Sequence, residues 1–227
     1  MDPDLARKAA LLWQSVILKD PAQIFGSEST RLLQRNWGDR IAQPGYVGRL
    51  YSVQGLAFVS MNPGGGPNQG LGPEDLAQYE VLQKLRDSTE VEAAAAFLEL
   101  TAALERIMPT WKIFRNFIAP VLEYAGVDFS RVAYLNLLKW RTKKSSGLAR
   151  LYDLSWHDHT QDQFGLLQPS LVIAIGSDAG NAFRRHHPSG VHFDAIPRVI
   201  GNNIGPEGYA ALERIKKWLQ HYPMTAA

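Results

Sequence analysis

The feature that most constrains this chain is a set of short, unbroken apolar runs separated by longer stretches of helical periodicity. Leu56–Met61, Val132–Leu138, Leu171–Ile175 and Pro197–Ile200 each read as a buried strand. Helical patterns cover Leu5–Lys19, ending before Asp20-Pro21, and Ser29–Trp37. A long one runs from Pro73 to about Met108, broken near Asp87–Thr89. Thr110 caps another that closes at Gly126, a Ser155-x-x-Asp158 capping box opens one ending at Leu167, and Gly205–Gln220 forms the last. Val47–Val53 alternates. Strands alternating with helices of about ten or more residues call for a mainly parallel sheet with both faces covered. The expected fold class is therefore α/β, three-layered, with a short four-stranded parallel sheet and helices on both faces. No repeat or linker divides residues 1–227, so one domain is expected, with 1–46 as an N-terminal helical extension packed on it.

Composition removes whole classes of function. With 45% hydrophobic and 20% charged residues among 227, the chain is ordinary globular material that can bury a sizeable core. It has no cysteine, which excludes disulfide frameworks, thiolate nucleophiles, iron–sulfur clusters and Cys-based zinc sites. No apolar run approaches the roughly 18 residues of a membrane span, and the start, MDPDLARKAA, is not a signal peptide. A cytoplasmic monomer without membrane contact is expected. The net charge of +2 is small but unevenly spread. Residues 1–130 carry 12 bases and 15 acids, whereas 131–227 carry 12 bases and 7 acids. Lys139, Arg141, Lys143, Lys144 and Arg150 lie in one stretch without an acid, a footprint that a phosphate-bearing partner would use.

Ligands of open α/β sheets bind beyond the carboxyl ends of the strands, so the loops starting at Asn62, Asn136, Gly176 and Gly201 are the candidate functional loops. Asn62-Pro63-Gly64-Gly65-Gly66-Pro67-Asn68-Gln69-Gly70 is the most unusual. A bland strand-to-helix turn needs one glycine; four leave the main chain open to close approach by a ligand. It matches neither the phosphate-loop nor the dinucleotide fingerprint. Asn136 interrupts an apolar run with an amide that offers one acceptor and two donors, the complement of an imide edge. Gly176-Ser177 opens a helix, with Ser177 as the expected N-cap beside N–H groups that suit an anion. The histidines suggest no chemistry: Trp156-His157-Asp158-His159 lacks a third metal ligand, and neither it nor His186-His187-Pro188-Ser189 has a Ser–His–Asp context. No metal and no cofactor are expected.

Taken together, these loops resemble the uracil-DNA glycosylase superfamily. Phe58-Val59-Ser60-Met61-Asn62-Pro63-Gly64 is similar to the first motif of its single-strand-selective and mismatch-specific branches, and Gly66-Pro67-Asn68-Gln69 is similar to the classical branch. Tyr134-Leu135-Asn136-Leu137 resembles the strand whose asparagine recognises the base, and Ile175-Gly176-Ser177-Asp178-Ala179 the loop that grips the DNA backbone. Order and spacing agree over about residues 47–220. The last motif departs: where the family has a histidine followed by Pro-Ser, this chain reads Arg198-Val199-Ile200-Gly201-Asn202-Asn203. The literal His187-Pro188-Ser189 falls earlier, outside that context.

The resemblance implies a DNA partner, single- or double-stranded, and hydrolysis of the N-glycosidic bond of a deaminated or damaged base. Asn62 would orient the water, Asn136 would hold the base, and Pro63, Gly64, Gly65, Gly176 and Ser177 would contact the substrate. Asn202 or Asn203 would replace the absent histidine as neutral donors, and Gly64 would leave a permissive base pocket. Tyr79, Phe114 or Phe117 would supply the stacking ring. Two alternatives stand beside this: an inactive nucleic-acid or nucleotide-binding module of the same fold, and an enzyme acting on a small nucleoside or phosphate metabolite.

Overall fold

A computed structural model describes residues 1–35, 37–64, 73–144 and 146–221. Helix α1 (Pro3–Leu18) is capped by Asp2, whose carboxylate accepts from the amides of Asp4 and Leu5. It is followed by α2 (Pro21–Phe25) and α3 (Trp37–Arg40). Strands β1 (Tyr46–Val47) and β2 (Leu56–Ser60) precede the hairpin of α4 (Pro73–Asp87) and α5 (Glu90–Ile107). The break between those helices is where the sequence placed it. There Thr89 and Glu92 form a reciprocal capping box. Next come α6 (Ala119–Ala125), β3 (Ala133–Asn136), α7 (Ala149–Ser155) and α8 (Gln161–Leu167). The chain closes with β4 (Leu171–Ile175), α9 (Ser177–His186), β5 (His192–Ile196) and α10 (Pro206–His221).

The architecture is α/β: a five-stranded mixed sheet, in the order β1-β3-β2-β4-β5, flanked by helices. Four strands run parallel; β1 is antiparallel to β3, pairing Tyr46 with Tyr134. Every residue of β2, β3 and β4 is buried, as a sheet covered on both faces requires. α1 packs against α4, α5 and α8, while α9 and α10 pack on β5. Trp13 is wholly buried in this packing, its indole N–H donating to the Gly45 carbonyl.

Four sequence expectations are corrected. The fourth parallel strand is His192–Ile196, not Pro197–Ile200. As an edge strand it is only partly buried and carries His192 and Asp194 among its apolar residues, so it lacks the continuous apolar run of a central strand. Of Val47–Val53 only Val47 is in a strand, because the chain turns where the Tyr51 amide bonds to the Gly48 carbonyl. Ser29–Trp37 is not one helix: a 3₁₀ helix covers Gly26–Arg31, and α3 starts at Trp37. Nor is Ser155 a cap. Helix runs unbroken through 149–167, with a π-turn at Trp156–Thr160 joining α7 to α8. A second π-turn, Phe114–Ile118, leads into α6. Pro120 lies just beyond it, and the wider turn accommodates a residue that has no N–H to give.

Candidate functional site

The carboxyl ends of β2, β3, β4 and β5 share one edge of the sheet because the strands are parallel and in register. Ser60 lies opposite Asn136, Val59 opposite Ala174, and Ile175 opposite Ile196. The Gly176 amide donates to the Ile196 carbonyl, carrying the β4–β5 pairing into the loops. A cavity of about 460 Å³ opens there, lined by Met61, Gly176, Ser177, Asp178, Arg198 and the turn Val199–Asn202.

Of the sequence-named residues, Gly176, Ser177 and Asn202 line this cavity. Gly176 is the N-cap of α9, and Ser177 is the first helical residue, not the cap expected. Gly176 has φ +100°, a conformation that glycine adopts without strain, and a Cβ there would come within 3.1 Å of the Arg198 side chain, which would have to give way. Asn202 has φ +57°. Its Oδ1 accepts from Arg198 at 2.5 Å, and its carbonyl accepts from the Asn116 side chain at 2.8 Å. A guanidinium can only donate, so Oδ1 faces Arg198 and the amide NH₂ is the end left for a ligand. Asn203 is spent on its own turn: its amide donates to the Ile200 carbonyl and its main chain pairs with Val199.

Asn62 and Asn136 are not in its lining; Asn62 follows the lining residue Met61 in the chain, and Asn136 lies opposite Ser60 in the sheet. Asn62 follows β2 directly, and its Nδ2 donates to Thr142 Oγ1 at 3.1 Å. Its Oδ1 has no partner among the described residues, so the acceptor end of the amide is open. Asn136 is buried in a polar network. Its Oδ1 accepts from Ser60 Oγ at 2.8 Å and its Nδ2 donates to the Gln43 carbonyl at 3.3 Å, while Ser60 also bonds Tyr134 Oη at 2.7 Å. One N–H and one lone pair of that amide remain, a reduced form of the imide complement expected. Burial, only partly offset by the Ser60 bond and Arg198, pushes the Tyr134 phenol up. Pro63 is buried and Gly64 exposed with open space around it. Gly65, with Gly66-Pro67-Asn68-Gln69, lies outside the described residues.

The three ring candidates are packed elsewhere. Tyr79 is buried, accepts from Gln43, and lies so close to Gly38 that a Cβ there would be 2.7 Å from the ring. Phe114 meets Phe129 edge-on, and Phe117 is wholly buried. Among the described residues the apolar lining of the cavity is Met61, Val199 and Ile200. The basic stretch is also redistributed: Lys139 and Arg141 are buried, and only Lys143, Lys144 and Arg150 of the five are exposed. Lys139 donates to the Asn136 carbonyl, and burial holds its ammonium well below the ordinary lysine value.

Sequence reasoning missed Arg198, Met61 and Thr142 as site residues, and Ser60 and Gln43 as the partners of Asn136. Arg198 was hidden by the misplaced strand: put two residues past β5 instead of inside a strand, it falls where functional loops begin. Among the described residues no three His, Asp or Glu side chains gather as a metal site, and no helix is long and apolar enough to cross a membrane. The sequence matches no known protein family and no curated protein.

Proposed function

We propose that this protein is a divergent DNA glycosylase of the uracil-DNA glycosylase type, hydrolysing the N-glycosidic bond of a deaminated base. The observation that carries the reading is the turn after β5. Ile200 is 96% exposed at the rim of the cavity, on a turn held by the Val199–Asn203 bridge, the Asn203 side chain and Asn116. A large apolar side chain held out on a braced turn is the form of a wedge that unstacks a base, and the cavity beside it is of a size for small ligands. In this reading the flipped base lies against Met61, whose thioether offers a soft surface to a π-face.

The chemistry follows from the open ends of the two amides. As the C1′–N bond breaks, the sugar gains oxocarbenium character and the base leaves with the bonding pair. Asn202 Nδ2–H donates to the oxygen where that charge collects. Asn62 Oδ1 accepts from the attacking water and holds it on C1′; the water's oxygen bonds C1′ and its surplus proton ends on the departed base. Asn136 gives its remaining donor and acceptor to the base edge, and Ser177 with Arg198 faces the backbone phosphate. A neutral amide is a weaker donor than imidazolium, so turnover is slow.

The test is incubation of the full chain with single- and double-stranded oligonucleotides carrying uracil, hypoxanthine or xanthine, scored for abasic sites. Abasic sites on at least one base support the reading. Binding without cleavage on any of them replaces it with an inactive binding module, and neither binding nor cleavage points to a small nucleoside or phosphate metabolite.

A further inference from the structure

Contrary to the sequence expectation, a Ser–His–Asp chain exists, built within one turn around the π-bulge. Asp158 Oδ2 meets His159 Nδ1 at 2.8 Å, and His159 Nε2 meets Ser155 Oγ at 2.9 Å. This is the hydrogen-bond order of a hydrolytic triad, but Ser155 is wholly buried and His159 1% exposed. The serine does not face a substrate. Its hydroxyl donates at 2.6 Å to the carbonyl of Leu137, the residue directly after Asn136. Thr160 donates to the same carbonyl at 3.3 Å, and Leu137's own amide donates to Ser60, the residue bonded to the Asn136 side chain.

We propose that Ser155, His159 and Asp158 form a positioning brace that fixes the strand end carrying Asn136, so that base capture depends on a chain reaching from Lys19 to Leu137. The proposal rests on the reading of Asn136 as the residue that holds the base.

The outer end of the brace is anchored by Lys19, which donates to the carboxylate of Asp158 at 2.5 Å and to its carbonyl at 2.9 Å. Three charged or titratable groups face the imidazole: Asp158 on its own helix, Lys19 just past α1, and Lys139 on the segment after β3. The Trp140 ring packs against it edge-on. Burial first, then the charge of Lys139, drives the imidazole down to about 3 against the pull of Asp158. At neutral pH it is uncharged with its proton on Nδ1 towards the carboxylate, so Nε2 and the Leu137 carbonyl compete as acceptors for the single Ser155 proton, and the His159–Asp158 pair sets how much of that proton Leu137 receives. Lys139 holds the preceding carbonyl, that of Asn136, and the backbone on either side of the Asn136–Leu137 peptide is thereby fixed by side chains.

The test uses the full chain labelled with ¹⁵N-asparagine, the Asn136 side-chain amide being identified by its loss in Asn136→Ala. The variants are Ser155→Ala, the half-exposed Asp158→Asn, His159→Gln, and Leu100→Ala, buried on α5 away from the π-turn, as a destabilising control. The brace predicts that Ser155→Ala and Asp158→Asn move the Asn136 amide resonances and raise KM on a cleaved oligonucleotide about tenfold with kcat little changed. His159→Gln keeps a polar group against Ser155 and shifts the amide and KM less than Ser155→Ala does. The control lowers Tm without moving the amide or KM. Variants that lower Tm as the control does, with the Asn136 amide and KM unmoved, overturn the brace. If the wild type cleaves no oligonucleotide the glycosylase reading fails, and the amide resonances still decide the brace: unmoved, they overturn it.

Discussion

Asn202 shows how strain and function meet at one residue. Among the described residues it is one of three non-glycine residues with positive φ, and its Oδ1 is taken by Arg198, which leaves its donors for a ligand. Glycine relieves the strain but loses the bond from Arg198 and gains unfolded-state entropy, so Asn202→Gly is expected to change stability by less than about 1 kcal/mol in urea unfolding while removing the donor. Unchanged activity in this variant would show that Asn202 is only a turn residue. The buried imidazole supplies a second expectation. His159 is lowered to about 3 from an ordinary value near 6.5, so between those pH values the unfolded chain binds a proton that the folded chain does not. Stability therefore falls as pH drops through that window, and His159→Gln flattens the slope between about pH 6 and 4. Burial also lowers His192, which leaves a smaller residual slope in the variant. Hydrogen bonds from His159 and Lys19 outweigh burial and hold Asp158 below its usual range, so its contribution is lost only at still lower pH. Urea midpoints measured across the window for both proteins check the difference. At this scale the sequence pointed to Gly176, Ser177 and Asn202, which line the cavity, because glycines and polar residues just past apolar runs stand out. It did not expose Arg198 or the partners of Asn136, since those depend on which strands lie side by side.

At the scale of elements, legibility followed burial. Central strands β2, β3 and β4 are buried throughout and were readable as apolar runs; edge strand β5 mixes His192 and Asp194 with Phe193 and Ile196 and was not. The shift of that strand moved Arg198 from strand interior to functional loop. Helical periodicity found α1, α4, α5 and α10 but not the π-turns, which change how residues face without changing which residues are apolar. Lys139 and Arg141 read as part of a basic footprint for a phosphate-bearing partner, yet both are buried, because sequence gives charge without burial. The central strand predicts its own cost. Phe58, wholly buried in β2, is expected to lose about 3–5 kcal/mol on Phe58→Ala, read from the urea midpoint. Gly176→Ala meets both an unfavourable φ and Arg198, so it is expected to cost about 1–3 kcal/mol and to weaken oligonucleotide binding.

For the whole molecule, the burial of Lys139 and Arg141 leaves a modest set of exposed cations from the basic stretch, Lys143, Lys144 and Arg150, with Arg198 at the cavity. Binding to single strands should then lose affinity with a slope of about −2 to −3 in log K against log salt, at about 0.7 per phosphate neutralised. A slope near zero in fluorescence anisotropy would remove nucleic acid as the partner. In the glycosylase reading, Asn202 at the strand-end cavity is the donor to the leaving base and Asn62 holds the attacking water. Single-turnover release of a deaminated base, measured for the wild type and for Asn202→Ala and Asn202→His at saturating protein, addresses it most directly. The predicted result is slow release by the wild type, a further loss of about 10²-fold in Asn202→Ala with binding nearly unchanged, and a measurable gain in Asn202→His. Release by Asn202→Ala at the wild-type rate, or no release by any of the three on uracil, hypoxanthine or xanthine, would contradict it.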